Sequence, residues 1–115
     1  MTLPTLRRVT SNFVNDWARS QGWPCQRHTI FAGECYTLSR RLCKELSLQR
    51  VHAQLVKGEF HWDLTDRESW GLHYWLTIND KYIVDPSIEQ FINTKKYVRS
   101  ITDPRYNPDV PRRIR

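Results

Sequence analysis

The residues best suited to chemistry are a cysteine, a histidine and an aspartate that occur in that order along the chain. Cys35 follows closely after a glycine and opens a segment in which leucine recurs at every fourth position, the spacing of one apolar helical stripe: Leu38, Leu42 and Leu46. In the first turn of a helix, free backbone N–H groups and the positive end of the helix dipole stabilise a thiolate. The sequence therefore predicts Cys35 as a candidate nucleophile at a helix start.

His73 and Asp85 are the partners that such a cysteine requires. A thiol with its usual pKa of about 8.5 is mostly protonated at neutral pH, so it needs a base that can hold its proton. The imidazole of His73 can do this, and a carboxylate behind the ring fixes its tautomer and stabilises its charge. His52 and His61 are rival bases, although neither has a downstream carboxylate on an adjacent predicted strand.

The elements that must position these residues are two helices and a small antiparallel sheet. An amphipathic helix is predicted over residues 5–18, and a second one runs from Cys35 to about Ser47. Short strands and one helical turn follow along the chain: strands over 50–60, 72–78, 81–85 and 95–101, and a helical turn within 87–92.

The first of these strands shows a clean alternation of apolar and polar residues. Val51, Ala53 and Leu55 are predicted to share one buried face, and Gly58 is predicted to close the strand. The pattern is typical of a strand that is buried on one side only.

The turn between the second and third strands decides whether His73 can reach Asp85. Opposed residues of an antiparallel pair share a face, and faces alternate along each strand. A two-residue loop places the two side chains on opposite faces. A three-residue loop at 79–81 instead pairs Ile78 with Tyr82 and places both side chains on one face. A triad therefore predicts an odd-length loop or a bulge that corrects the parity.

Four segments in this order resemble the transglutaminase-like superfamily of papain-fold cysteine enzymes. They are a Gly-x-Cys helix, a strand that ends in glycine, a His-x-Trp strand and a Val-Asp-Pro strand: Gly33–Cys35, Val51–Gly58, His73–Trp75 and Val84–Pro86. The resemblance covers roughly residues 30–91. It implies an α+β fold with a papain-like/transglutaminase-like core, in which N-terminal helices pack on a small antiparallel sheet.

The same resemblance implies roles for the three residues and a class of reaction. Cys35 would be the nucleophile, His73 the base and later the acid, and Asp85 the group that orients the imidazole. The family acts on amides by proteolysis, deamidation, amide hydrolysis or acyl transfer to an amine. The expected partner is thus a protein or peptide amide, and no cofactor is expected.

An oxyanion hole requires two hydrogen-bond donors close to the nucleophile. The backbone N–H of Cys35 is the expected first donor, because it is free at the helix start. In the papain branch of the fold an upstream glutamine supplies the second donor. Gln26 is the available glutamine, although its distance from Cys35 does not match that pattern closely, and Trp23 and His28 are alternatives.

The remaining cysteines allow a competing interpretation, a zinc site built from Cys25, His28, Cys35 and Cys43. Cys35 and Cys43 are eight residues apart, so in a continuous helix their backbones lie about 12 Å apart along the axis. Zinc–sulfur bonds of about 2.3 Å cannot close that gap. No metal is therefore predicted, and Cys25 and Cys43 are interpreted as structural.

The size and charge of the chain suggest one small domain with a basic surface. The chain has 115 residues and a formal net charge of +6. Residues 1–101 are predicted to form a single domain, followed by an extended basic tail over 102–115. Three of the arginines crowd the end of that tail: Arg112, Arg113 and Arg115. The charge leaves open a second function class, a basic toxin-like protein that uses the same fold to cleave or bind RNA.

The compartment is predicted from the cysteines and from the apolar segments. Three cysteines cannot all pair, which favours a reducing compartment over a disulfide framework. No apolar run approaches the roughly 20 residues that span a bilayer, and the N-terminus shows no signal-peptide pattern. The expected location is cytoplasmic, or that of an effector exported without a cleaved signal.

Overall fold

The computed structural model describes residues 1–21 and 31–108, and its class is α+β, as the sequence predicts. Two α-helices and a curled sheet of five antiparallel strands make up this part of the chain. Their bounds are α1 (Leu3–Ser20), α2 (Cys35–Leu48), β1 (Gln54–His61), β2 (Trp70–Ile78), β3 (Tyr82–Val84), β4 (Val98–Ser100) and β5 (Tyr106–Pro108). One 3₁₀ turn, Ile88–Gln90, follows β3. The strand order across the sheet is β4-β3-β2-β1-β5.

Both helices begin where the sequence offers a start signal, and both bury an apolar stripe. The Thr2 side chain accepts a hydrogen bond from the backbone N–H of Thr5 and caps α1. The leucine stripe of α2 is fully buried, as predicted, and packs on the sheet: Leu38, Leu42 and Leu46. Within the described residues, no helix is both long and apolar enough to cross a membrane.

The predicted alternation in the first strand was wrong in phase. Ladder pairing begins only at Gln54, because the chain reverses at Arg50, whose φ is +62°, and Val51 then donates its N–H to Leu46 at the end of α2. Val51 and Ala53 therefore precede the strand, and their burial does not carry over to Leu55, which is 38% exposed.

Gly58 lies in the middle of β1 and does not end it. It pairs with His73 of β2 on one side and with Pro108 of β5 on the other. A Cβ atom at this position would lie 2.3 Å from the carbonyl oxygen of Asn107 and 2.6 Å from the Trp75 ring. Only glycine lets the neighbouring strand and the indole approach this closely.

The β2–β3 hairpin has the three-residue loop that a triad requires. Ile78 pairs with Tyr82, and Lys81 donates its N–H to the carbonyl of Ile78 at 3.0 Å. Asn79 and Asp80 both have positive φ, 54° and 52°, as in a type I′ turn, and Lys81 is the extra residue before the ladder begins. The predicted parity is confirmed.

The chain after residue 101, which the sequence predicts to be an extended tail over 102–115, adds a further strand to the sheet at 106–108. Tyr106 pairs with Phe60, and its ring is buried. Two prolines near this strand suggested an extended tail, but β5 lies at the sheet edge, where proline is tolerated. Residues 109–115, which hold the arginines of the predicted tail, lie outside the described part of the chain.

Candidate active site

His73 and Asp85 form a buried hydrogen-bonded pair at the centre of the site. His73 lies on β2, and Asp85 follows directly after β3. The hairpin register, continued by one residue, sets Asp85 opposite Trp75 and therefore diagonal to His73. The Nε2 atom of His73 lies 2.8 Å from Oδ2 of Asp85, and neither side chain is accessible to solvent.

Asp85 receives hydrogen bonds from three sides. Besides His73, the Tyr106 hydroxyl donates to Oδ2 at 2.8 Å, and the backbone N–H of Ser87 donates to Oδ1 at 3.2 Å. Burial, together with the charge of Asp85, raises the pKa of Tyr106 well above its usual value, so the phenol keeps its proton. A buried carboxylate with several donors is stabilised in its charged form, which is the form that orients an imidazole.

Cys35 is the first residue of α2, as predicted, and lies beside Tyr74 of β2. Glu34 occupies the capping position but makes no side-chain hydrogen bond to the helix start. Ser39, one turn further on, donates its hydroxyl to the carbonyl of Tyr74 at 3.4 Å. The backbone N–H of Tyr74 interacts with the Cys35 thiol, which is itself partly accessible. The helix thus docks beside the strand residue that follows His73.

The Cys35 thiol and the His73 ring lie close enough for each to shift the pKa of the other. Burial alone would lower the pKa of His73, but the charge and hydrogen bond of Asp85, followed by those of Cys35, raise it to about 9. Burial alone would raise the pKa of Cys35, but the hydrogen bond with His73, that of Tyr74 and the His73 charge lower it. Both directions favour a thiolate–imidazolium pair at neutral pH.

Gln90 connects the segment before Cys35 to the ring of His73, and the sequence interpretation missed it. Its Oε1 accepts a hydrogen bond from the backbone N–H of Gly33 at 3.3 Å, which fixes the orientation of the amide. Its Nε2 donates to the hydroxyl of Ser87 at 3.3 Å and lies 3.4 Å from Nδ1 of His73, to which it can donate only when that nitrogen carries no proton. Because Asp85 occupies Nε2 of the ring, Nδ1 is the nitrogen that faces the thiol. The only signal for Gln90 was its place in the predicted turn after the Val-Asp-Pro strand.

An aromatic stack encloses His73 and leads from it to the surface. The rings of Phe60 and Phe91 contact the imidazole edge-on, with centroids 5.6 and 4.9 Å away. Trp62 stacks on Phe91 and is 36% exposed. The stack excludes water from the ring of His73 on the side away from Cys35, which strengthens its interaction with Asp85.

The rival bases lie elsewhere in the molecule. His52 is exposed and precedes β1. His61 ends β1, and its Nε2 lies 3.2 Å from a carboxylate oxygen of Glu59. The half-buried thiol of Cys43 donates to the carbonyl of Ala53 at 3.4 Å, in keeping with the structural role predicted for it.

Several predicted residues lie outside the described residues: Trp23, Cys25, Gln26 and His28. Gln26, the predicted second oxyanion donor, therefore stays a prediction. The zinc alternative shares two of these positions. Within 1–21 and 31–108, no group of three or more His, Cys, Asp or Glu side chains is arranged to hold a metal ion.

Comparisons with protein-family models, with curated proteins and with solved structures found no match to the chain. The function proposed below therefore rests on the geometry of the site and on the chemistry of its residues.

Proposed function

We propose that the protein is a cysteine-dependent enzyme that acts on amide bonds, built on a papain-like/transglutaminase-like core. One observation carries the proposal: the imidazole of His73 is held by the buried Asp85 on one side and contacts the thiol of Cys35 on the other. The partly accessible position of Cys35 at a helix start supports the same role, since a nucleophile must reach its substrate.

The reaction follows from which atoms carry protons in the resting site. The Cys35 thiolate attacks the carbonyl carbon of the amide, and the C=O electron pair moves onto the oxygen to form a tetrahedral intermediate. The protonated Nδ1 of His73 then donates to the amide nitrogen, the C–N bond breaks, and ammonia or an amine leaves. A thioester on Cys35 remains. Water or a second amine, deprotonated by the now neutral His73, attacks the thioester; the C–S bond then breaks, a carboxylic acid or a new amide leaves, and the thiolate–imidazolium pair is restored.

The backbone N–H of Cys35 is the proposed first donor to the oxyanion. The first N–H groups of a helix have no intrahelical partner, and the capping residue Glu34 leaves the helix start open. Gln26 remains the proposed second donor.

The test compares the wild type with Cys35→Ala and with Cys43→Ala as the matched control. Each protein is incubated with a peptide library and free amines, while ammonia release, new peptide termini and amine incorporation are followed. We expect Cys35→Ala to lose all activity with little change in the unfolding midpoint, because this side chain is only half-buried. Cys43→Ala should keep the activity. Unchanged turnover in Cys35→Ala would end the proposal.

A second candidate function, action on RNA, has one structural feature in its favour. Two adjoining cavities between α1 and the β3–β4 edge share three lining residues and hold a set of five cations: Arg7, Lys81, Lys95, Lys96 and Arg99. Such a surface suits a phosphate backbone. The discriminating experiment follows tRNA cleavage beside ammonia and peptide products. RNA cleavage without either amide product would favour this second function over the first.

A further inference from the structure

A shallow cationic cavity begins at the residue that follows the nucleophile. It has a volume of about 250 Å³ and lies on the outer face of α2. Two uncharged residues and three cations line it: Tyr36, Thr37, Arg40, Arg41 and Lys44. No carboxylate contributes to the lining. A substrate that reaches Cys35 must therefore pass or contact a concentrated positive charge.

The guanidinium of Arg40 is held against the ring of Tyr36, the residue that follows Cys35. Its guanidinium carbon lies 5.5 Å from the centre of the Tyr36 ring, a cation–π contact that points the side chain back along the helix. Tyr36 in turn packs edge-on against Tyr74, with ring centroids 4.9 Å apart. Cys35 and Arg40 are separated by about 7.5 Å of helical rise and by about 140° around the helix axis, so the contact with Tyr36 brings the cation to the residue beside the nucleophile and not to the thiol itself.

The charges of this cavity are not neutralised by neighbouring carboxylates. Among the described residues, no ion pair involves Arg40, Arg41 or Lys44. Arg41 also lines a separate cavity that contains Asp16 and Glu45, so its charge is partly shared with that side. Arg40 and Lys44 therefore supply most of the positive charge of this cavity.

We propose that this cavity binds an anionic group of the substrate, a carboxylate or a phosphate, carried close to the amide that Cys35 attacks. The inference rests on the proposed function and adds a substrate class to it. A guanidinium held in place matches the two oxygens of a carboxylate or phosphate and loses little side-chain freedom on binding. The aromatic wall formed by Tyr36 and Tyr74 offers the same substrate an apolar contact beside the charge.

The first experiment uses two alkylating reagents of nearly equal size that differ in charge. The Cys35 thiolate displaces iodide from the CH₂ carbon of either iodoacetate or neutral iodoacetamide, forming a C–S bond. The rate ratio of the two reagents at Cys35, read by mass spectrometry of the modified peptide, reports the local potential. We expect Arg40→Gln to lower the iodoacetate-to-iodoacetamide ratio by about twofold, from the loss of one solvent-screened charge roughly 10 Å from the thiol.

The matched control is Arg8→Gln, which removes the same exposed charge from α1 and should leave the ratio unchanged. Lys44→Gln added to Arg40→Gln should lower the ratio further, and roughly 0.5 M salt should shrink every difference. A ratio that stays within experimental error in both Arg40 variants would overturn the cavity proposal. Failure of Cys35 to react faster than an ordinary thiol near neutral pH would instead overturn the proposed function, so the two failures are distinct.

A second experiment separates the two anionic groups. Peptide amides that carry Glu, phosphoserine or Gln beside the reacting amide are compared by kcat/KM in the wild type and in Arg40→Gln. We expect both anionic peptides to exceed the Gln peptide, and the larger advantage identifies the group that is bound. Arg40→Gln should reduce that advantage by lowering kcat/KM for the anionic peptides more than for the Gln peptide. Equal kcat/KM values for all three peptides in the wild type would overturn the inference while leaving amide chemistry intact.

Discussion

Asp85→Asn changes one atom and, from the geometry of its three partners, should disable the base. On the Oδ1 side a backbone N–H of Ser87 donates, so an amide NH₂ cannot settle there without two donors facing each other. The NH₂ must instead take the Oδ2 position, opposite His73 and Tyr106. There it donates to Nε2 of His73, which forces the ring proton onto Nδ1. The nitrogen that faces Cys35 can then no longer accept its proton.

The magnitude follows from the shift that the carboxylate supports. The pKa of His73 is raised from 6.5 to about 9, which corresponds to about 3 kcal/mol in favour of the imidazolium. Burial opposes this shift, so without the carboxylate the pKa of His73 should fall below 6.5. Cys35 would lose its charged partner, and its own pKa should rise. We expect alkylation of Cys35 near neutral pH to slow by at least about tenfold, and turnover to fall by roughly 10³–10⁴.

The assay is the pH dependence of iodoacetamide alkylation at Cys35, measured beside circular dichroism to verify folding. Asp103→Asn is the matched control, because Asp103 also forms a shielded ion pair, with Arg99 at 3.1 Å, but does not contact His73. The control should alkylate like the wild type. A folded Asp85→Asn protein whose alkylation profile matches the wild type would refute the role assigned to the carboxylate.

Three further predictions test the packing around the site. Gly58→Ala should lower the free energy of unfolding in urea by about 1–3 kcal/mol, because the new methyl group would collide with β5. Gly71→Ala is the control: its methyl group would have its nearest contact at 3.4 Å, so it should cost clearly less, and equal losses would contradict the prediction. Tyr106→Phe should lower the free energy of unfolding by about 1.5–3 kcal/mol through loss of the bond to the buried carboxylate, and an unchanged urea midpoint would refute that bond. In Cys35→Ala, the stabilisation from His73 should be complete below pH 6.5 and be lost as pH rises through the folded pKa of His73, which Asp85 still raises but which should lie below the wild-type value of about 9 because Cys35 no longer contributes; a flat urea-unfolding profile would count against it.

The parts of the site that the sequence predicted are those that follow from local periodicity. The leucine stripe placed Cys35 at a helix start, and loop parity placed His73 and Asp85 on one face, since both rules act over a few residues. The phase of β1 failed for the same reason. A positive φ at Arg50 interrupts the alternation before the ladder begins, and the composition near residues 51–55 gives no sign of it.

The contacts that the sequence could not predict come from distant segments. Tyr106 reaches Asp85 across 21 residues, and Gln90 reaches Gly33 across 57. No short-range pattern specifies which strand covers a carboxylate or which amide spans two loops. The prolines near Tyr106 favoured the prediction of a tail. Proline is tolerated in a strand at a sheet edge, but the sequence does not show that this segment lies at an edge.

Because β5 covers Asp85, the order in which the chain is synthesised affects the reactivity of Cys35. The proposed nucleophile, base and orienting carboxylate all lie within the first 85 residues, but the strand that covers Asp85 begins at Tyr106. A nascent chain that stops short of this strand contains the whole triad yet leaves the carboxylate open to water, where its hold on His73 is weaker. Full activation of Cys35 therefore awaits the last strand of the sheet, and incomplete chains should be far less reactive than finished ones.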